Sequence, residues 1–156
     1  MCDVLKEVYS EVLSEKFSYE LTRRIKLQKV VYLLENMGVY VGDYSFTWDK
    51  YGPYSIALDD DAYRCCHKKG RNEVVFTSGA KEAFEKIRSI ISQRKEYDEV
   101  SWLECISSLH YLKYVLRVAE DDEGILEELV NRKERLNNTE ENKAALRIAY
   151  EVEMGM

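Results

Sequence analysis

The chain has 156 residues, 46% of them apolar and 33% charged, with a net charge of −6, one proline and seven glycines. That length and balance fit one folded domain, spanning 1–156, that can bury a core without disulfides; they argue against a disordered, membrane-spanning or large all-β protein. The acid excess, concentrated in residues 81–156, opposes binding to nucleic-acid phosphates unless one face is locally basic.

Met1-Cys2-Asp3-Val4 carries neither the basic nor the apolar region of a signal peptide. A cytoplasmic location is therefore expected, with Cys2, Cys65, Cys66 and Cys105 as reduced thiols. Residues 2–14 read as an amphipathic helix with Val4, Leu5, Val8, Tyr9, Val12 and Leu13 on one stripe. A second helix is predicted from Leu21 to Met37, stopped by Gly38. Its apolar face is Ile25, Leu27, Val30, Val31, Leu34 and Met37; its polar face is Arg23, Arg24, Lys26 and Lys29.

Next, Tyr44, Phe46 and Trp48 alternate as a short strand would, and Tyr51-Gly52-Pro53-Tyr54 forms a turn that holds the only proline. A helix capped by Ser55 should reach Lys69 and end at Gly70. Within it, Cys65-Cys66-His67 has metal-ligand chemistry, but helix neighbours point about 100° apart, so no metal site is expected. Glu73 to Phe76 reads as a second short strand, and Thr77 or Ser78 caps a helix running to about Arg94.

The C-terminal half is helical throughout. Ser101 and Glu104 have the spacing of a capping box, opening a helix to about Val118 whose apolar residues wrap more than one face, as in a buried central helix. Residues 123–136 and 140–153 give two more amphipathic helices, the last with Asn138 and Glu141 as a capping pair. Glu120 to Glu123 reads as a solvated acidic loop. The fold class is thus mainly α with a small β element, and the order helix, turn, helix, strand gives the N-terminal half a winged-helix-like layout.

Lys26-Leu27-Gln28-Lys29 with the apolar run after it, the aromatic strand with Phe46 and Trp48, and Tyr51-Gly52-Pro53 together resemble the Panacea (SocA-like) domain. Tyr54-Ser55 and the downstream Trp102-Leu103-Glu104 near Leu109-His110-Tyr111-Leu112 are similar to YwgA-like proteins. The match covers roughly residues 22–77, more weakly to 112. Tyr54-Ser55 stands where Panacea proteins have a small apolar residue, and Val30-Val31 where they have a leucine pair. The resemblance implies a non-catalytic domain that binds and neutralises a partner protein, as an antitoxin or a proteolytic adaptor does. Its motif residues carry over to Lys26, Gln28, Lys29, Trp48, Tyr51, Gly52 and Pro53.

Structural roles stand beside these. Gly52 and Pro53 fix a turn, Trp48 and Phe46 suit a core, and Gln28, placed within the apolar stretch, needs buried partners such as the backbone of the Tyr51–Tyr54 turn. Lys26 and Lys29, three apart on a helix, could grip an acidic partner or simply be solvated. Tyr40, Tyr44, Tyr51 and Tyr54 lie close in sequence and suit a protein-binding surface. The predicted partner-binding set is Lys26, Lys29, Tyr51 and Tyr54, with Gln28, Trp48, Gly52 and Pro53 as the structural motif.

The alternative is a winged-helix DNA-binding regulator, with a recognition helix from Ser55. Asp59, Asp60 and Asp61 on that helix oppose phosphate contact, although Arg64, Lys68, Lys69 and Arg71 follow. No catalytic residue, cofactor or metal is expected. His67 and His110 are the only histidines, and five residues of helix separate Cys105 from His110, too many to share a face as a nucleophile pair.

Overall fold

Side-chain caps start most of the helices in the computed structural model, which describes residues 2–68 and 72–155. Ser55 accepts from the Leu58 amide to open α3 (Ile56–His67), after α1 (Cys2–Leu13), α2 (Leu21–Asn36) and a hairpin of β1 (Thr47–Asp49) and β2 (Gly52–Tyr54). Thr77 opens α4 (Ser78–Ser92), Asp98 opens α5 (Glu99–Tyr111), Asp121 opens α6 (Asp122–Arg132) and Asn138 opens α7 (Thr139–Glu153). In each case a short side-chain oxygen takes an amide that the first turn leaves unpaired. The chain is mainly helical with one small antiparallel sheet.

Two helices form the centre. In α2 every residue from Ile25 to Leu34 is buried, and in α5 every residue from Trp102 to Tyr111. α5 lies between α2 and α7, while α1, α3 and α4 also pack on α2. Burial of a leucine such as Leu33 or Leu34 contributes about 1.5–3 kcal/mol. Trp102 is fully enclosed, and its indole N–H donates to the Ile90 carbonyl at 2.8 Å. The polar face expected of α2 is therefore not a solvated face: Lys26 is 8% exposed and Lys29 1%. Packing on both sides encloses the stretch from Ile25 to Leu34, so Lys26 and Lys29 meet partners inside the fold while Arg23 and Arg24 stay partly exposed.

Several local expectations change. The segment read as a turn, Gly52 to Tyr54, is a strand: Thr47 pairs with Tyr54, Trp48 with Pro53 and Asp49 with Gly52, so Lys50 and Tyr51 make the turn. Proline is tolerated because this strand lies at a sheet edge. Residues 73–76 form no strand pairing. Asp98, not Ser101, caps α5, because its carboxylate already takes the Ser101 amide at 2.8 Å. α5 then widens into a π turn over Leu112–Leu116. The acidic run after Glu120 supplies the Asp121 cap and the first turn of α6.

Gly38 ends α2 with φ +86, as its position predicts. α3 stops at His67 with Lys68 already extended as its C-cap, short of the Lys69 expected, because the chain leaves the helix before any glycine; Gly70 lies outside the described residues. Cys2 and Cys65 are joined in a disulfide, Cα–Cα 4.9 Å, instead of standing as free thiols. Their helices cross where the Asp3–Lys68 pair (3.0 Å) also ties them. Cys66 and Cys105 remain thiols.

Candidate functional site

Burying α2 gives its polar residues one task, which is to hold the hairpin. Gln28 exchanges two hydrogen bonds with the Ser55 main chain: its amide nitrogen donates to the carbonyl at 2.9 Å and its oxygen accepts from the N–H at 2.8 Å. This falls one residue beyond the turn anticipated for it. The next residue, Lys29, donates to the Pro53 carbonyl at 2.7 Å. Pro53 in β2 and Ser55 at its exit, two residues apart, are thus fixed by two consecutive residues of α2.

Gly52 sits against α5. Its φ is +93, and a Cβ there would fall 2.4 Å from the Ser108 Oγ and 3.7 Å from the Lys29 Nζ. Only glycine meets both demands at once. Ser108 Oγ is itself buried without a hydrogen-bond partner among the described residues. Burial in this crowded place pushes the Lys29 ammonium down to about 7, against the pull of Glu104.

The far side of the hairpin is held from the α6–α7 connection. Lys133 is buried, donates to the Lys50 carbonyl and lies 3.1 Å from the fully enclosed Glu104 carboxylate, to which Arg135 also donates. Burial lowers the Lys133 pKa, with Glu104 opposing it. Lys133 and Arg132 stand 5.0 and 5.4 Å over the Trp48 ring, and Arg135 and Lys50 stand 5.7 and 5.4 Å over Tyr51. Trp48 also tilts against Tyr111, ring centroids 5.9 Å apart. The hairpin aromatics therefore sit in a cationic frame within an acidic chain.

Between α2 and the hairpin lies a cleft of about 300 Å³. Leu21, Ile25, Tyr51 and Tyr54 give it an apolar lining; Arg24, Lys50, Asp49 and Asp59 surround them. Arg24 is fixed there by both Asp59 oxygens, at 3.1 and 3.0 Å, and lies over the Tyr19 ring. A larger depression, about 790 Å³, between α1 and residues 16–19 is lined mainly by charged and hydroxyl side chains.

Tyr51 and Tyr54 line one cleft, with Lys29 at its base bonded to Pro53, whereas Lys26 is engaged elsewhere. Lys26 bridges Glu15 and Glu99 at 2.9 Å each. Burial works against its charge, but the two carboxylates outweigh it and hold its pKa above the usual lysine value. Tyr44 bonds Asp61 at 2.7 Å, and Tyr40 lines a different cleft. Cys105 and His110 are occupied separately: the thiol faces Asn142 at 3.2 Å, while His110 joins Tyr32 at 2.7 Å and Glu153 at 2.9 Å. Burial lowers the His110 pKa, with Glu153 opposing it.

Sequence reasoning missed the roles of Glu104, Lys133 and Arg135, which sit in ordinary helix and loop patterns. It also missed the Glu141 carboxylate, which accepts the amides of Lys95, Glu96 and Tyr97. Only the position of Glu104 inside an apolar run hinted at burial. Among the described residues no group of His, Cys, Asp and Glu is placed to hold a metal ion, and no helix is long and apolar enough to cross a membrane. The chain matches no protein-family model, no curated protein and no solved structure.

Proposed function

We propose that this chain is a non-catalytic protein-binding domain whose partner docks on the cleft between α2 and the hairpin, in the manner of an antitoxin or proteolytic adaptor. The observation that carries the reading is the cleft itself, with tyrosines and aliphatics inside and fixed charges around them. Its walls are preorganised by the Gln28 and Lys29 hydrogen bonds, so little ordering cost falls on binding. Leu21 is 54% exposed beside it, and aromatic anchors with a polar rim are what protein interfaces use.

Lys50, at the cleft and over the Tyr51 ring, favours a partner segment that sets an apolar anchor beside a carboxylate. Lys29 supports the cleft from its base. The motif's likeness to Panacea domains agrees with this class of function. A cytoplasmic site of action is part of the proposal.

The test is quantitative affinity capture from the native host, with and without nuclease, comparing the unaltered chain with Leu21→Asp and Tyr54→Ala. A stoichiometric protein that survives nuclease and falls by about tenfold or more with both variants, at unchanged melting temperature, supports the reading. A partner held equally by the variants rules out this cleft. Loss of captured material on nuclease treatment would point instead to a nucleic-acid-binding regulator.

A further inference from the structure

A further cleft, of about 480 Å³, lies past the C-terminal end of α2 between residues 39–41 and 74–76, with Val8 of α1 and Phe84 of α4 beneath it. Burial alternates along both segments: Tyr40 is exposed between Val39 and Val41, and Val75 between Val74 and Phe76. That is the pattern of a strand. Yet no hydrogen bond engages the main chain of residues 40–41 or 74–76 among the described residues. Two segments with unengaged main chain border one apolar slot, with Tyr40 76% and Val75 82% exposed beside it. Main-chain donors and acceptors left free next to apolar surface are the template for strand addition.

The slot is uncharged inside but acidic at its ends. Glu35 and Asp43 flank the end at Gly38–Tyr40. Burial, reinforced by the charge of Asp43, raises the Glu35 pKa. At the other end, Glu11 and Glu85 share Arg88 while Glu82 stands with Lys81, three carboxylates against two cations for a net charge of −1. These carboxylates want basic residues on whatever enters. A second copy of this chain is a poor occupant, because its own candidate strand begins with Glu73 and the chains carry −6 each.

We propose that this slot takes up an extended apolar segment of a partner protein, flanked by Lys or Arg, as an added β-strand. The main-chain edges supply affinity, the half-buried Val4, Val39 and Phe76 receive alternate side chains, and the acidic ends set preference. This surface is separate from the aromatic cleft and does not depend on it.

The probe is an array of nine-residue peptides with Val, Ile or Phe at alternate positions and either Lys/Arg or Glu at the ends. Each is presented also with alternate amides N-methylated. Basic-flanked members should bind about tenfold or more tightly than acidic-flanked ones, and N-methylation should remove binding. Val75→Pro, which deletes one free donor at an exposed position, should weaken binding at unchanged melting temperature. No peptide retained, equal binding of N-methylated members, or a preference for acidic ends would each overturn the proposal. Should Val75→Pro unfold the chain, amide exchange decides: slowed exchange at residues 74–76 on adding the best peptide supports strand addition, and unchanged exchange refutes it.

Discussion

Gln28 and Ser55 are joined amide to backbone in both directions, a side chain imitating one rung of a sheet across 27 residues of sequence. Gln28→Ala strands a buried donor and a buried acceptor together, and each such group costs about 1–3 kcal/mol. Gln28→Glu can still accept from the Ser55 amide but cannot donate to its carbonyl when ionised. Urea unfolding should rank the unaltered chain above both variants. A Gln28→Ala protein as stable as the parent would mean that the rung holds nothing.

Gly52 and Ser108 make a coupled pair. Gly52→Ala meets both the +93 φ and the Ser108 oxygen, so a loss of about 2–4 kcal/mol is expected. Ser108→Ala should be close to neutral or stabilising, since its hydroxyl is buried without a partner. The double variant should recover the steric part of the loss and keep the backbone part. Strict additivity in a double-mutant cycle would show that the two positions do not touch.

Stability should rise with pH near neutrality. Lys29 sits at about 7 when folded, because it is buried, and at about 10.4 in an unfolded chain. Between those values the unfolded state binds the extra proton, so raising pH removes a penalty on folding. Lys133, also lowered by burial, adds to the same trend. From pH 7 to 8, below the ordinary thiol pKa of about 8.5, the gain should be about 1 kcal/mol. Above that, ionisation of Cys105 in the unfolded chain, whose thiol burial pushes up in the folded one, opposes it. Lys29→Met should flatten most of that slope. A flat profile for the unaltered protein would show that Lys29 stays charged inside.

Reducing the Cys2–Cys65 disulfide opens a loop with a sequence separation of 63. Loops of this size are worth about 2–4 kcal/mol, and a calorimetric scan with and without dithiothreitol reads the difference. Cys2→Ser should lower the melting temperature and remove the reductant effect. An equal response to reductant in both proteins would place the effect elsewhere.

Helix positions were legible because their causes are local. Ser55, Thr77 and Asn138 cap where short polar side chains precede apolar periodicity, and Gly38 stops α2. The hairpin was half legible: Trp48 announced a strand, but Gly52-Pro53 signals a turn in isolation and becomes a strand only through pairing with Trp48 and the bonds from α2. The lysines of α2 misled because a helix read alone always has an outside. Once α5 and the hairpin cover that flank, Lys26 and Lys29 are interior residues. Glu104 and Lys133, 29 residues apart, leave no sequence signal of their meeting.

The aromatic hairpin is finished by residues synthesised long after it. Lys133 reaches the Lys50 carbonyl from 83 residues downstream, and Arg135 closes on Glu104 from the same connection. While the chain emerges from a ribosome, the hairpin and α2 are present well before the cations that frame Trp48 and Tyr51. A nascent chain stopped short of α6 would therefore show its aromatic surface without the frame that shapes it, and recognition through the cleft would begin only after most of the protein has been made.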